Sequence, residues 1–331
     1  MQQVVVGIDV SKKYIDAAFR TESGEFHSAR FHGEPAKQYL EMEGTLKQMN
    51  FKPLKFVMEA TGVYHLPLAY FLVKKGHKVY VDNALKFKRY AQMRLSRAKT
   101  DKSDARLIAE YGATQTIREF QPPSVNQTHL KQCVQAIEDL QQIKTDIISR
   151  IEALSIHPEP HKFLLDLWKQ ELINLKDKIK AVHKEMLELA ERHKPETLDL
   201  LLSVPGIGPL TASAIIGQFG NFETFSNAGA VVAYVGLNPS PYQSGSSRYS
   251  HKGISKQGHA YIRRLLYMGA WMAKECNEPC KQLYSRLLLK HGSKKKALVA
   301  VAHKLIRQAF GVVKNGIAFE PDFADKNSPF T

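Results

Sequence analysis

The sequence predicts a protein of two fold classes, an α/β domain followed by mainly helical domains. Three observations lead to this prediction. In the first hundred residues, short segments rich in β-formers give way to alternating helical and strand-like segments. After Ser124 the apolar residues recur at the spacing of long helices, and beyond residue 199 short helical segments are separated by glycine-containing turns. The predicted domains span residues 1–120, 121–198 and 199–331.

The α/β domain is predicted to begin with three strands that form an antiparallel meander. Ser23 and Gly24 form a turn between the second strand and the third. A helix, a strand, a second helix and a fifth strand follow, the order expected of a ribonuclease-H-like mixed sheet covered by helices. In chain order the segments are VVVGIDV, YIDAAFRT and EFHSARFHG (strands), PAKQYLEMEGTLKQM (helix), KFVMEATG (strand), a helix from His65 to about Lys75, and HKVYVDN (strand).

Four acidic residues of this domain are candidate metal ligands. Asp9 and Glu59 end apolar strands, where burying an unpartnered carboxylate is costly. Asp101 and Asp104 stand three residues apart at the start of a helix and therefore share one face. Such a cluster repels itself unless a cation is bound, and oxygen ligands suit Mg²⁺ or Mn²⁺. A pair of these ions stabilises the attacking and leaving oxygens of a phosphodiester.

Simpler interpretations exist for some of these acids. Asp101 is favoured by the dipole at a helix start, and Asp104 fits a solvated position near Arg106. Two further acids compete for the site. Asp16 lies in the middle of a strand and Asp82 precedes a turn, so both are less suited to it.

The middle of the chain is predicted to be a helical hairpin. HPEPH at residues 157–161 separates two apolar series, because its prolines break a helix. The narrow apolar stripe suits a coiled coil, and we interpret the hairpin as a spacer and oligomerisation arm; a helical pair packed on the first domain is the alternative. The two series are Leu130, Val134, Ile137, Leu140, Ile147, Ile151 and Leu154, and Trp168, Leu172, Leu175, Ile179, Val182, Met186 and Leu189.

The segment LLSVPGIGPLTASAIIGQFG at residues 201–220 has the form of a helix-hairpin-helix element. Gly206 and Gly208 permit positive φ angles and leave backbone N–H groups accessible near a helix start, which is a suitable seat for a phosphate. Such elements hold a DNA backbone without reading its sequence. A plain turn between two helices is the alternative.

The segment from Asn238 to Gly258 contains few large aliphatic residues and is therefore predicted to be an exposed loop. Its cations, with two arginines that follow, are candidate phosphate contacts. A C-terminal helix, KKKALVAVAHKLIRQAF, is also predicted, with residues 294–296 as its solvated start and a frayed tail from Glu320 onward. The candidate contacts are Arg248, Lys252, Lys256, Arg263 and Arg264.

The composition points to a polyanionic partner. The 331 residues include 47 Lys and Arg against 32 Asp and Glu, a net charge of +15, which suits binding to nucleic acid through counterion release. We expect a cytoplasmic protein without membrane association, because the sequence shows neither a membrane-spanning run nor a signal peptide. The three cysteines, Cys133, Cys276 and Cys280, are expected to be reduced.

Five motifs in order resemble the DEDD transposases of bacterial insertion sequences, the IS110/IS1111 group, whose relatives include the Piv DNA invertase. The matching segments are GIDVSK with Asp9, MEATGVY with Glu59, KTDKSDA with Asp101 and Asp104, SVPGIGPLTA, and YQSGSSR with GISKQGHAYIRRLL. The resemblance implies a RuvC-like domain whose four acids bind Mg²⁺, a coiled coil, and a transposase domain with a nucleophilic serine. It matches that serine to Ser244, although four other serines, Ser240, Ser246, Ser247 and Ser250, lie close in sequence.

The resemblance also implies a noncoding guide RNA, encoded by the element, that pairs with target and donor DNA. The expected function is therefore an RNA-guided transposase that cuts and rejoins DNA through a phosphoserine link and acts as a dimer or tetramer at the nucleoid. Two alternatives remain from the residues alone. One is a metal-dependent nuclease that resolves Holliday junctions with activated water, and the other is a noncatalytic DNA-binding protein.

Overall fold

The computed structural model describes residues 1–60, 62–94, 101–244, 248–255 and 257–321, with only the backbone at 101–103, 240–244 and 248–252. The chain forms two compact units, Met1–Pro122 (unit 1) and Pro123–Thr331 (unit 2). Each unit has its own core. The division of the sequence into three domains stays a prediction.

Unit 1 contains a five-stranded mixed sheet, which confirms the predicted α/β class. The strand order is β3-β2-β1-β4-β5. The first three strands form the predicted antiparallel meander, whereas β4 is parallel to β1 and β5 is parallel to β4. The strands are β1 (Gln2–Val10), β2 (Tyr14–Thr21), β3 (Phe26–His32), β4 (Phe51–Glu59) and β5 (Val79–Asp82).

Helices cover both faces of this sheet. Side chains alternate between the faces of a strand, so successive β1 residues belong to different clusters. Val4, Val6 and Ile8 pack in one cluster with Met42 and Leu72, whereas Val5 and Val57 pack in another with Phe87 and Ile108. The first face therefore meets α1 (Pro35–Gln48) and α2 (His65–Lys74), and the second meets α3 (Ala84–Met93) and α4 (Asp101–Thr114).

Unit 2 begins with the predicted helical hairpin. The two helices α5 (Val125–Ile156) and α6 (Lys162–His193) are separated at the predicted proline-containing break. The base of the hairpin contributes Leu130, Ile137 and Met186 to the main core of unit 2. Its distal half has a separate small cluster around Ile147, Leu175 and Ile179. The apolar series therefore serves two purposes, since one end belongs to the unit's core and the other holds the two helices together.

The rest of unit 2 is mostly helical. Its elements are α7 (Pro195–Leu202), α8 (Pro209–Phe219), α9 (Ala228–Val235), β6 (Pro239–Ser244), β7 (Arg248–Ile254), α10 (Ala260–Cys276), α11 (Glu278–His291) and α12 (Lys294–Asn315). The cation-rich start of α12 is helical as predicted, and its apolar positions from Ala297 to Ala309 are buried. Most of the predicted tail, residues 322–331, lies outside the described residues.

The prediction of an exposed loop from Asn238 to Gly258 is wrong for most of its length. Strands β6 and β7 pair as an antiparallel hairpin, with Ser244 opposite Arg248. A two-stranded ribbon needs backbone pairing and β-formers such as Tyr242 and Tyr249, not the large aliphatic residues of a core. The shortage of aliphatic residues therefore indicates that the segment contributes little to a core, but it does not exclude strands.

Candidate active site

Two of the four candidate acids lie side by side at one edge of the unit 1 sheet. Ile8 of β1 is paired with Met58 of the parallel strand β4, so the next residues, Asp9 and Glu59, stand at adjacent carboxyl ends. Asp9 lies two residues beyond Gly7, and Glu59 two beyond Val57. Both acids therefore belong to the sheet face that α3 and α4 cover.

Two glycines allow α4 to pack unusually close to this face. A Cβ atom on Gly7 would lie 2.2 Å from the backbone nitrogen of Ala109 and 2.4 Å from the carbonyl oxygen of Ala105. A Cβ atom on Gly112 would lie 2.5 Å from Cγ2 of Val57. Glycine inside a strand often marks such a close backbone approach. The position of α4 against β1 is therefore fixed at two points.

These two points also determine the direction of α4. Its C-terminal part, at Gly112, lies against Val5 and Val57, whereas Ala105 and Ala109 lie against Gly7. Two residues of a strand cover about the same length as four residues of a helix, because the rise per residue is roughly 3.3 Å in a strand and 1.5 Å in a helix. The first turn of α4, from Asp101 to Ala105, therefore lies at the level of Asp9. The backbone thus places Asp9 and Glu59 on adjacent strands and the first turn of α4 at the same level of the sheet.

The competing acid Asp16 has a partner that satisfies its charge. Arg30 Nε and Nη2 donate to its Oδ1 and Oδ2 at 2.9 and 2.8 Å, and the Asp16 side chain is only 4% exposed. The same guanidinium lies 4.0 Å from the ring centroid of Tyr14. A bidentate pair of this kind fixes the position of the carboxylate, which indicates a structural role for Asp16.

The second competing acid, Asp82, is held by three donors. Lys86 Nζ lies 2.8 Å from Oδ1, the Asn83 backbone nitrogen donates at 2.8 Å, and the Tyr111 hydroxyl donates to Oδ2 at 3.0 Å. Burial and this hydrogen bond raise the pKa of Tyr111 to about 12. Asp82 therefore links β5 to α3 and α4, although it is paired in register with Glu59. The sequence ranked Asp16 and Asp82 behind the other four acids, and it identified none of these partners.

The donor chemistry of the remaining acids suits a hard divalent cation, because all four supply carboxylate oxygens. Asp9, Glu59 and Asp104 each have an interaction partner of their own. Among the side chains that the structure describes, no three His, Cys, Asp or Glu residues form a group that could hold a metal ion. The Asp101 side chain is not among the described side chains. A four-acid metal site stays a prediction, which is supported by the placement of the backbone.

The predicted nucleophile, Ser244, is the last residue of β6. Arg248, the first residue of β7, is its partner in the hairpin register, and Lys252 lies further along β7. Lys256, Ser246 and Ser247 lie outside the described residues. The hairpin therefore places a serine and a cation opposite each other near its tip, and their side chains are not described.

The predicted helix-hairpin-helix turn joins α7 to α8. Gly206 has a φ of +102° and packs against α10, where a Cβ atom would lie 2.7 Å from that of Ala273. Gly208 instead has an extended backbone, with a φ of −88°, and is exposed at the start of α8. Buried Asn277 donates to the Pro205 carbonyl oxygen at 3.0 Å and so holds the turn in place. The two glycines therefore differ, since Gly206 is needed for packing and only Gly208 faces outward.

The two adjacent candidate arginines have different surroundings. Arg263 Nη1 donates to the Val235 carbonyl oxygen at the end of α9, at 2.8 Å, and burial lowers the pKa of its guanidinium. Arg264 is exposed and lies 5.3 Å from the ring centroid of Tyr261. Arg263 is thus engaged within the fold, whereas Arg264 is accessible to a phosphate.

No helix of the described residues is long and apolar enough to cross a membrane.

Comparison with known proteins identifies the class of protein and then its family. A DEDD transposase model of the IS110 type matches residues 6–155, and the model of the transposase IS116/IS110/IS902 family matches residues 198–285. The first match contains Asp9, Glu59 and the start of α4, and the second contains Ser244. Together the matches cover more than two thirds of the chain. The protein is therefore a transposase, an enzyme that recombines DNA.

Three relatives, two matched over nearly their full length and one over part of it, agree with this class. Pilin gene-inverting proteins of Moraxella bovis and Moraxella lacunata are each 28% identical to this chain, over 97% of it and 98% of the relative. The transposase for insertion sequence element IS1111A of Coxiella burnetii is 26% identical over 62% of this chain and 64% of the relative. The chain belongs to the IS110 family of insertion-sequence transposases, which confirms the resemblance seen in its motifs.

Proposed function

We propose that this transposase cuts and rejoins DNA through a covalent link to Ser244, with divalent metal held by Asp9, Glu59, Asp101 and Asp104. The acid half of this proposal is supported by the adjacent ends of β1 and β4 and by the close packing of α4 on Gly7 of β1. The serine half is supported by the place of Ser244 near the tip of the β6–β7 hairpin and by its match to the family's serine.

The acids would hold Mg²⁺ or Mn²⁺, which supplies neutralisation of the charge that develops on a reacting phosphodiester. The residues of the chain then have distinct tasks. The Ser244 hydroxyl loses its proton as Oγ bonds to phosphorus, a phosphorus–oxygen bond to deoxyribose breaks, and the released sugar oxygen takes up a proton to become a hydroxyl. Arg248 and Lys252 bind the non-bridging oxygens, as cations do at phosphoryl groups. The reverse reaction rejoins the strand and frees the serine.

Nucleic acid is bound mainly by unit 2 in this proposal. Residues 260–315 contain 12 Lys and Arg against 2 Asp and Glu, a stretch rich enough in cations to follow a phosphate backbone. Gly208 offers its exposed backbone at the start of α8 as a phosphate seat, with Lys256 and Arg264 as further contacts. A guide RNA supplies the sequence choice, as the family resemblance implies.

Self-association is assigned to the distal end of the α5–α6 hairpin. Ile156, Phe163 and Leu167 are exposed there, at 74%, 67% and 49% of their surface. The helices themselves are almost neutral, with 10 Lys and Arg against 11 Asp and Glu in residues 125–193, so two copies meet without strong charge repulsion. We expect a dimer or tetramer.

The nucleophile is tested by trapping the reaction in denaturant and mapping the DNA-linked peptide by mass spectrometry. We expect a phosphodiester on Ser244, complete loss of the adduct in Ser244→Ala, and retention of folding, RNA binding and metal binding. Ser246→Ala and Ser247→Ala are matched controls that keep the adduct. A link to any other serine refutes the assignment, and cleavage without an adduct favours a nuclease that uses activated water.

A shared active site is tested by mixing two inactive variants. If the acids of one copy serve the serine of another, Asp9→Ala protein and Ser244→Ala protein together should regain cleavage that neither has alone. The measurement needs a parallel demonstration that mixed oligomers form. Absence of activity in such mixtures shows that each copy uses its own acids and serine.

A further inference from the structure

The outer face of α10 carries a group of exposed apolar side chains. Met268, Trp271 and Met272 lie at positions i, i+3 and i+4 and are 60%, 45% and 64% exposed. Residues with this spacing are neighbours on a helix surface, and a contiguous apolar area in the open marks an interaction surface. We call Arg264, Met268, Trp271 and Met272 the α10 patch.

Arg264 is an available cation of this patch, whereas the lysine and the acid near it pair with each other. Lys274 Nζ lies 5.6 Å from the ring centroid of Trp271 and forms an ion pair with Glu275, the one acidic residue in the sequence of α10. Arg264 lies one turn before Met268 and is exposed. A ligand on the patch therefore meets an aromatic ring and two thioethers, with the Arg264 guanidinium one turn away.

The charge of the surrounding helices favours a polyanion over a second copy of the chain. The 12 Lys and Arg against 2 Asp and Glu in residues 260–315 would face an identical excess of cations in a two-fold symmetric contact. A nucleic acid brings the complementary charge. Its bases also have flat apolar faces, which stack on tryptophan whatever their sequence.

We propose that the α10 patch is a stacking surface for unpaired nucleotides, with Trp271 against a base and Arg264 near its phosphates. Unpaired strands are specified because base faces inside a duplex are covered by their neighbours. The inference rests on the proposed function only in taking nucleic acid as the ligand. The same helix packs on the α7–α8 turn, since a Cβ atom on Gly269 would lie 2.3 Å from the Gly206 carbonyl oxygen.

The chain offers a direct optical test, because it contains two tryptophans. Trp168→Phe in the full-length protein leaves Trp271 as the sole indole. Its fluorescence is followed while oligo-dT, oligo-rU or duplex DNA of equal length is added, and binding is measured in parallel by anisotropy of a label on the nucleic acid. We expect single strands to quench Trp271 and duplex DNA to leave it nearly unchanged. Quenching by either single strand supports the inference, and the stronger of the two identifies DNA or RNA as the source.

Variants of the full chain separate stacking from general binding. Trp271→Ala should weaken single-strand binding about five- to a hundredfold, the loss expected when one base loses its aromatic partner, and should change duplex binding less than about twofold. Trp271→Phe keeps a ring and should retain most of the affinity. Leu289→Ala is the matched control, since Leu289 is an 89% exposed apolar residue on α11 and not part of the patch.

Three results would overturn the inference. Single strands that bind without changing Trp271 fluorescence would place their bases elsewhere and leave the proposed function intact. A fluorescence change on raising protein concentration alone would assign the patch to self-association. Absence of binding to all three nucleic acids at low salt would contradict the proposed function together with the patch.

Discussion

Unit 1 collects carboxylates at one edge of its sheet, whereas the last three helices of unit 2 collect cations. The two units have similar net charge, with 20 Lys and Arg against 13 Asp and Glu in residues 1–122, and 27 against 19 in residues 123–331. What differs is the distribution. Carboxylates suit the binding of a divalent cation and strand cleavage, and the cationic helices suit a phosphate backbone. Variants in the first region should therefore impair cleavage, and variants in the second should impair nucleic acid binding.

The largest expected effect is the loss of strand cleavage when one of the acids at the sheet edge is replaced. Asp9→Ala should reduce strand cleavage about a thousandfold or more, because it removes charge stabilisation at the reacting phosphate, while salt-sensitive binding stays within about threefold. Cleavage assays and anisotropy measure the two quantities. The same result is expected for Glu59→Ala, Asp101→Ala and Asp104→Ala, and normal cleavage by any of them removes that acid from the set.

Asp16→Asn is the control for this experiment. Asp16 is directly opposite Asp9 in the β1–β2 ladder, but its carboxylate is bound by Arg30. Its loss should lower the free energy of unfolding by about 1–3 kcal/mol, because Arg30 loses its partner, and should leave cleavage per folded molecule largely intact. Equal loss of cleavage in both variants would show that the edge depends on total charge instead of particular ligands.

The next effect concerns the packing of α4. Gly7→Ala places a methyl group within 2.4 Å of α4 backbone atoms, so the helix must move away from the sheet. We expect unfolding free energy to fall by about 1–3 kcal/mol or more, and cleavage to fall with it because Asp101 and Asp104 move. Chemical denaturation and cleavage assays check this result.

Gly44→Ala is its matched control in the same unit. Gly44 lies inside α1, and a Cβ atom there has no other atom within 4 Å among the described residues. Alanine should therefore stabilise the helix by up to about 1 kcal/mol. A Gly7→Ala variant as stable as Gly44→Ala would contradict the close packing of α4 on β1.

The smallest effect tests the cationic side of the comparison with two adjacent residues. Arg264→Gln should weaken binding of all nucleic acid sequences modestly and reduce the salt slope by about one, as expected for one lost phosphate contact. Arg263→Gln should instead lower stability by about 1 kcal/mol, because the end of α9 loses a hydrogen bond, with unchanged affinity per folded molecule. The reverse pattern would exchange the roles of the two arginines.

The sequence predicted all five strands of unit 1 and the long helices, because their apolar spacing is a local property. It also predicted that Asp9 and Glu59 share an edge, since parallel strands end together. It did not predict the position of α4, which depends on a contact between Gly7 and residues about a hundred positions later. The glycine of GIDVSK was the available signal, as a strand interior seldom contains one without a close neighbour.

Two features of unit 2 were also left undistinguished by the sequence, for different reasons. The β6–β7 hairpin was taken for a loop because its composition lacks core residues, although backbone pairing does not require them. Arg263 was grouped with Arg264 as a phosphate contact because adjacent cations look alike in a sequence. Only the fold shows that Arg263 donates a hydrogen bond to the backbone at the end of α9. Partners that are distant in sequence cannot be read from local patterns.

The α5–α6 hairpin extends well beyond the main core of unit 2. Beyond Ile137, the last α5 residue in the main core of unit 2, the helix continues for about nineteen residues to Ile156, or about 28 Å at 1.5 Å per residue. That distance corresponds to about eight base pairs of DNA at 3.4 Å each. A partner residue in contact with the tip of the arm therefore lies about 28 Å from the core of unit 2. Such a contact can affect that core through the two packed helices, because a stiff pair of helices transmits a displacement along its length.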